Sequence, residues 1–528
     1  MPVPVGQRCR IVAVGSKPLQ RQEREVALAA QARSVADGGR EPLEVLGHRR
    51  CIQAAGVGVS GGLPAAVAAV NIGLKGFGDA LREQDAEVVD VDWRPPAGGD
   101  PAVVSLLARL WGEHGATVQA ANAATVQRLE DARPLAVTVA PARDVIGVLT
   151  DRVLLHSGPA IAWERVCDPQ RRALAAACVF EGWAPDVQAA ARALASGEVR
   201  LEPGNEHGHV GPMTGVCSPS MPVWVAEEPR AGVRAFSTLN EGPGRTLWFG
   251  VGDGEAIARL RFFRDALGPA LARVLEREGP VDVLDLAAQG VAMGDELHMR
   301  SQATGNLLLK RLLPGLVELG DRAVAEALAA NHHLFLNLTM AAAKCVSMAA
   351  AGERGASIVT LLARNGTEMG LQIGGLPGRW FTAPAARVTD ALLREPHTEA
   401  DAALDIGDSA VIECVGLGGM AVAASPVVAT FFGGQGAADA VARTRRMGEI
   451  CAARSQRFTI PGLDFAGTPV GIDARLVIEL DIAPQITTGV LHASSGAGQI
   501  GAGVAHQPLA PFRAALEALA VDLDGAAG

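Results

Sequence analysis

The order of apolar and polar positions divides the 528-residue chain into three differently patterned stretches behind a separate N-terminal segment. Residues 69–74 and 87–93 are strand-like, with a helix-period stretch at 77–84 between them. A helix at 120–131 and an apolar strand at 135–140 follow, so residues 66–155 predict a β-α-β alternation and a doubly wound parallel sheet. The 3.6-residue period then dominates, at 170–183, 187–196, 256–278, 282–313, 322–329 and 337–351. From residue 357 β-like runs return at 358–362, 410–414 and 475–480, separated by glycine turns. Residues 1–65 carry a helix-like stretch at 21–36 and the run Gly56-Val-Gly-Val-Ser-Gly-Gly. That run matches a dinucleotide fingerprint only superficially, because no clear strand precedes it and no acidic residue ends a second strand. The class expected is α/β: an N-terminal doubly wound parallel-sheet domain (66–155), a helix-rich middle (156–355) and a C-terminal α/β domain (356–528).

Composition narrows what such a fold could do. A net charge of -10 repels nucleic acid and anionic membranes, and with no tyrosine and 4% aromatics there are few platforms for stacking bases. Residues 414–438 carry no charge, but Gly416, Gly418, Gly419, Pro426, Gly433 and Gly434 would make a poor membrane-spanning helix, so buried core is expected there. The eight cysteines are scattered without a C-x-x-C pair, and the first residues lack a long apolar leader; both suit reduced thiols in a cytoplasmic protein.

Against this oily background, Met293-Gly-Asp-Glu-Leu-His-Met-Arg concentrates chemistry. If it opens a helix, Asp295 and His298 share one face as an oriented acid/base pair, and Glu296 and Arg300 share the next as an ion pair. A capping and salt-bridge cluster is the plainer alternative. His156 and Ser157 follow a strand, with Gly158-Pro159 ahead of a helix, which reads as an anion cradle or a capped loop. Glu206, His207 and His209 share one loop. Histidines two apart ligate a metal only from extended backbone, and no fourth ligand is evident, so acid/base work or hydrogen bonding to substrate is the stronger reading.

Asn240 lies in a polar glycine turn, and Arg364, Asn365 and Arg379 lie beside tight turns. The guanidinium fork suits carboxylate and phosphate alike. Asp408 and Ser409 close the loop Asp405-Ile-Gly-Asp-Ser. No nucleophile elbow, P-loop or zinc pattern is present. The set points to a pocket for a small polar anion, with catalysis by positioning and charge stabilisation.

Several ungapped strings resemble the YlbE/AllG family: His156-Ser-Gly-Pro-Ala-Ile-Ala-Trp-Glu-Arg, Glu206 to Val216 with Ser218-Pro-Ser-Met, and Met293-Gly-Asp-Glu-x-His-x-Arg. Ala363-Arg-Asn-Gly, Gly375-Leu-Pro-Gly-x-Trp-Phe-Thr, Asp405-Ile-Gly-Asp-Ser-Ala and Ile500-Gly-Ala-Gly continue the likeness to the C-terminus, from about Asn71. The resemblance implies a subunit of an oxamate carbamoyltransferase that works with companion carbamoyltransferase subunits in anaerobic allantoin breakdown. There oxalurate and phosphate are exchanged with oxamate and carbamoyl phosphate. No cofactor is implied with certainty; Mg²⁺ and a homo-oligomer are open expectations. Three positions depart from the family pattern: Gly204 and Asn205 stand where Cys or His is usual, and Ser301 where Asn is usual. On this reading His298, oriented by Asp295, is the base, with Glu296 and His207 as further acid/base groups. Arg300, Arg364 and Arg379 hold the anionic groups, with Asn365, His156, Ser157, Asn240, Glu206, Asp408 and Ser409 around them. The same pocket would also suit a ureide or amide hydrolase, or a non-catalytic subunit that completes a partner's active site.

Overall fold

The structure, a computed structural model, describes residues 12–14, 68–72, 75–91, 95–434 and 436–527. The helix expected at 21–36 and the glycine run at 56–62 lie outside them. The chain folds as two units, residues 1–108 and 109–528. In the first, β2 (Ala68–Ile72) pairs antiparallel with β1 (Val12–Val14) and parallel with β3 (Glu87–Val91), the parallel pair being joined through α1 (Lys75–Arg82). Arg82 reaches from the end of α1 to Asp79 and to Asp90 on β3, tying helix to sheet. Helix α2 (Pro101–Trp111) follows.

The second unit begins with α3 (Gly115–Asp131), β4 (Leu135–Pro141), β5 (Val153–His156), α4 (Asp168–Phe180), α5 (Val187–Ala195) and β6 (Arg200–Pro203). A hairpin, β7 (Pro222–Glu228) and β8 (Val233–Thr238), leads into α6 (Gly254–Phe262), α7 (Gly268–Glu278) and β9 (Val281–Asp282). Helices α8 (Val283–Ala292), α9 (Gln302–Leu319), α10 (Arg322–Ala330) and α11 (Leu336–Ala350) come next. The strands β10 (Val359–Asn365), β11 (Glu368–Ile373), β12 (Phe381–Pro384), β13 (Val388–Leu393) and β14 (Ile406–Gly407) precede α12 (Ala437–Gly448). The chain ends with β15 (Cys451–Ile460), β16 (Ala466–Ile472), α13 (Ala474–Leu480), β17 (Gln485–Leu491), β18 (Gln499–His506) and α14 (Ala510–Ala527).

Helices and sheets mix as an α/β fold should, but the pairing is mostly antiparallel. The sheets run β8-β7-β4-β9, β12-β11-β10-β14, β13-β18-β17 and β15-β16, while β5-β6 is parallel. Strand β4, expected to extend the parallel sheet of residues 66–155, instead pairs antiparallel with β7 and β9. Its main partner, β7, comes from the later hairpin β7–β8 and runs in the opposite direction.

Two apolar runs that read as strands are helical. Residues 410–414 form the buried helical turn Val411–Cys414, and 475–480 lie in α13, where the Asp473 carboxylate caps the first turn by accepting from Arg475 N. Short apolar runs carry no period, so capping and packing decide their state. The helix expected over 256–278 is interrupted by a π turn at Phe263–Leu267. The one expected over 282–313 stops at Ala292 and resumes at Gln302, with the acid-rich motif in the gap.

A continuous core runs from Leu129 to Leu491 through α7, α8, α9, α11 and β10. Helix α11 lies at its heart: every residue from Leu336 to Ser347 is buried. It packs on β7 and β8 and on the turn Val411–Cys414.

Candidate functional site

The motif at 293–300 is a tight loop between α8 and α9, because Gly294 (φ +101°) and Leu297 (φ +74°) take conformations no helix tolerates. A buried leucine with positive φ is strained by about 1–3 kcal/mol and persists only where its surroundings fix it. The Glu296 carboxylate supplies that restraint: its Oε1 accepts from Met299 N and from Arg300 N (2.7 Å), and Leu297 N donates to Arg300 O (2.9 Å). Asp295 works as a remote helix cap, its Oδ2 accepting from Thr304 N (2.7 Å) and Thr304 Oγ1 (2.8 Å) at the start of α9.

The pairing expected from helical spacing is therefore exchanged. The Arg300 guanidinium pairs with Asp295 (3.1 Å), and only the Arg300 backbone N–H reaches the Glu296 carboxylate. His298, the expected partner of Asp295, places Nδ1 2.8 Å from Glu413 Oε1 in the turn Val411–Cys414. Gly419 N donates to the same oxygen (3.0 Å), whereas Glu413 Oε2 is buried without a partner among the described residues. Gly418 makes this closeness possible: its φ is +58°, and a Cβ there would lie 2.3 Å from Glu413 Oε1. Its N–H donates to Glu296 O (2.7 Å). Burial pushes Glu296 up to about 7, against the opposing pull of His298 and the backbone donors.

A second buried group adjoins the first. Arg364, fully buried at the end of β10, grips Asp405 through Nε (2.7 Å) and Nη2 (3.0 Å) and donates through Nη1 to Gly407 O. Gln507 also donates to Asp405 (3.1 Å), so the pair is enclosed on both sides. The Arg364 charge is felt by both Glu413 and Asp408, which links the two groups. Asp408 accepts from Gly158 N (2.7 Å) and Gly211 N (3.4 Å), and burial raises its carboxyl to about 7. Gly158, at φ +81°, has no room for a side chain, since a Cβ would lie 2.6 Å from Asn365 N. The loops at 155–165, 205–213, 363–370 and 405–409 thus meet at one buried junction.

Other candidates reach the junction in supporting roles. Ser157 Oγ donates to Met213 O (2.8 Å), and Asn365 bonds Pro159 O (3.1 Å) while its Oδ1 accepts from Thr367 N and Glu368 N. His156 is buried with Nδ1 2.8 Å from Ser157 O, and burial lowers its pKa. Ser409 is buried beside Asp408. Glu206 is exposed and accepts from Trp380 Nε1 (3.3 Å); His207 stands 3.6 Å from Glu202. His209, by contrast, is buried and held neutral by burial, with a pKa of about 3. A Cβ at Gly204 would lie 2.8 Å from its Nδ1, so the residue types usual in the family at that position would not fit here unchanged.

Two candidates lie elsewhere. Arg379 is exposed and covers the Phe381 ring (5.1 Å), and Asn240 bonds Asn337 (2.7 Å) beside a cavity of about 340 Å³. Glu241, Arg259, Trp224 and Leu334 also line that cavity; none of Asp295, His298, Arg300 or Arg364 does. The three arginines expected to hold anions therefore occupy three different settings. Among the described residues, the group with metal-ligating spacing is Glu113, His114 and Asp524, and it contains none of the expected site residues.

Two residues of the junction escaped the sequence reading. Glu413 was hidden in an apolar run, and Lys344 in the apolar helix α11, where Asp408 and Glu206 act on its charge. The available signal was rarity: Lys344 is one of four lysines in the chain.

Residues 199–409, which carry Glu206, His298, Lys344, Arg364 and Asp408, match the family model described as oxamate carbamoyltransferase subunit AllG. The chain is 41% identical over 411 residues to oxamate carbamoyltransferase subunit AllG of Escherichia coli (strain K12), covering 76% of this chain and 98% of that protein. It is 37% identical over 453 residues to uncharacterized protein YahG of the same organism, covering 85% of this chain and 96% of that protein. A crystal structure of a conserved protein of unknown function from Enterococcus faecalis V583 superposes with a TM-score of 0.75 at 37% identity, covering 77% of this chain and 98% of that one. No helix among the described residues is long and apolar enough to cross a membrane. With identity at this level across nearly the whole of these relatives, the chain belongs to the AllG family.

Proposed function

We propose that this chain is a subunit of a cytoplasmic carbamoyltransferase that converts oxalurate and phosphate into oxamate and carbamoyl phosphate, or a close relative of that reaction, together with companion subunits. The observation that carries the reading is the buried His298–Glu413 pair, joined through Arg364 to the glycine loops around Asp408. With Nδ1 turned to the Glu413 carboxylate, His298 keeps Nε2 for a proton in transit. In the phosphorolytic direction a phosphate oxygen attacks the carbamoyl carbon, the C–N bond to the oxamate nitrogen breaks, and that nitrogen takes a proton from the imidazolium. In reverse the neutral imidazole removes the same proton before the nitrogen attacks carbamoyl phosphate. Glu413 stabilises the charged ring in both directions. Glu296 holds the strained loop that positions His298 and stays outside proton transfer.

Arg364 acts through the fold: its donors are engaged by Asp405 and Gly407 O, so its positive charge is fixed in place rather than offered to a ligand. That closure favours a second reading of the same site, in which companion subunits are needed to open or complete it. The purified chain should be assayed on oxalurate with phosphate, alone and with its companions. Carbamoyl phosphate formed only in the presence of phosphate supports transfer; release of product without phosphate would mean hydrolysis instead.

A further inference from the structure

We propose that Lys344 is the anion-binding cation of this junction, its ammonium taking a carboxylate or phosphoryl oxygen of the bound substrate; this rests on reading the junction as the binding site. Lys344 lies in α11, is 6% exposed, and has buried residues on either side of it from Leu336 to Ser347. The other described lysines, Lys75 and Lys310, are exposed. Among the described residues its ammonium forms no ion pair and no hydrogen bond; Asp408, Cys414, Cys345 and Glu206 act on it only through space.

A buried ammonium with idle donors is costly, and proteins that keep one usually have a use for it. Asp408, the strongest of those neighbours, forms no ion pair with it; the Asp408 oxygens accept from Gly158 N and Gly211 N instead. Burial pulls the lysine down to about 8, which leaves it mostly protonated at neutral pH and so able to pair with an anion. The amides of the neighbouring loops are already in use: Gly158 N and Gly211 N serve Asp408, while Ser157 N and Gly215 N donate to Thr214 O and Pro212 O. An anion at this point would therefore take its charged hydrogen bond from one cation, the Lys344 ammonium.

Calorimetric titration of the full chain with inorganic phosphate, and separately with oxamate, tests this in wild type and in Lys344→Met. The variant should bind one or both anions about tenfold to a hundredfold more weakly, as expected for a lost charged hydrogen bond. The arm that weakens identifies which oxygen the lysine holds. Its melting temperature should match or exceed the wild type, because the unpaired charge is removed. Equal affinity of wild type and variant for both anions, or no binding of either by the wild type, would overturn the proposal. Because these arms read binding by the chain itself, absent turnover in the assembled enzyme would sink the carbamoyl-transfer reading and leave the anion site standing.

Discussion

Nδ1 of His298 lies 2.8 Å from Oε1 of Glu413, a residue 115 positions further along the chain, with both side chains buried. The pair forms because two sharp backbone turns converge: Leu297 at φ +74° aims the imidazole inward, and Gly418 at φ +58° leaves space for the carboxylate. A carboxylate on Nδ1 fixes the tautomer and the orientation of the ring.

Glu413→Gln keeps the shape and removes that charge. It should lower kcat about a hundredfold or more while leaving the melting temperature nearly unchanged. Full turnover in the variant would remove Glu413 from any positioning role.

Arg364 and Asp405 are both fully buried, so breaking either side strands a charge. Asp405→Asn or Arg364→Met alone should destabilise the chain by about 3–5 kcal/mol in urea unfolding, and the double variant by clearly less than the sum. Additive losses would show that the two side chains do not stabilise each other.

Gly158→Ala combines a left-handed backbone with a Cβ 2.6 Å from Asn365 N. It should cost about 2 kcal/mol or more and displace the loop from Asp408. Gly182→Ala, at φ +75° with nothing within 4 Å of its Cβ, should cost only about 1 kcal/mol. Equal losses would mean that loop contact contributes nothing.

Glu296 is pushed up to about 7 by burial, from an unfolded value of about 4.5. A carboxyl with a raised folded pKa contributes most stability below its unfolded value. Its contribution falls as pH rises from about 4.5 to about 7, with a slope of up to about 1.4 kcal/mol per pH unit. Glu296→Gln should flatten that part of the stability profile measured by urea midpoints; an identical slope in the variant would place the titration elsewhere, for example at Asp408 or Glu241, also raised to about 7.

Much of the junction was legible in the sequence because glycine and short polar residues advertise loops. The strings around His156, Glu206, Arg364 and Asp408 do pack together, held by Gly158 N and Gly211 N on one carboxylate. Long, periodic helices such as α4 and α11 were also plain. The pairing inside the site was not. Helical spacing matched Asp295 with His298, but a leucine forced to positive φ, which its side chain disfavours, gives no sequence warning. Glu413 and Lys344 sat in apolar runs that read as strand and helix, and their charges gain meaning only from neighbours far along the chain. Asn240 and Arg379 looked alike on paper to the residues that converge, and nothing local distinguished them.

The most direct test is the consumption of oxalurate by the chain assembled with its companion subunits, followed with and without phosphate, for wild type and His298→Ala. The account predicts phosphate-dependent formation of carbamoyl phosphate that falls by at least about a hundredfold in the variant, with its melting temperature retained. Turnover that ignores phosphate, or a variant as active as the wild type, would contradict it.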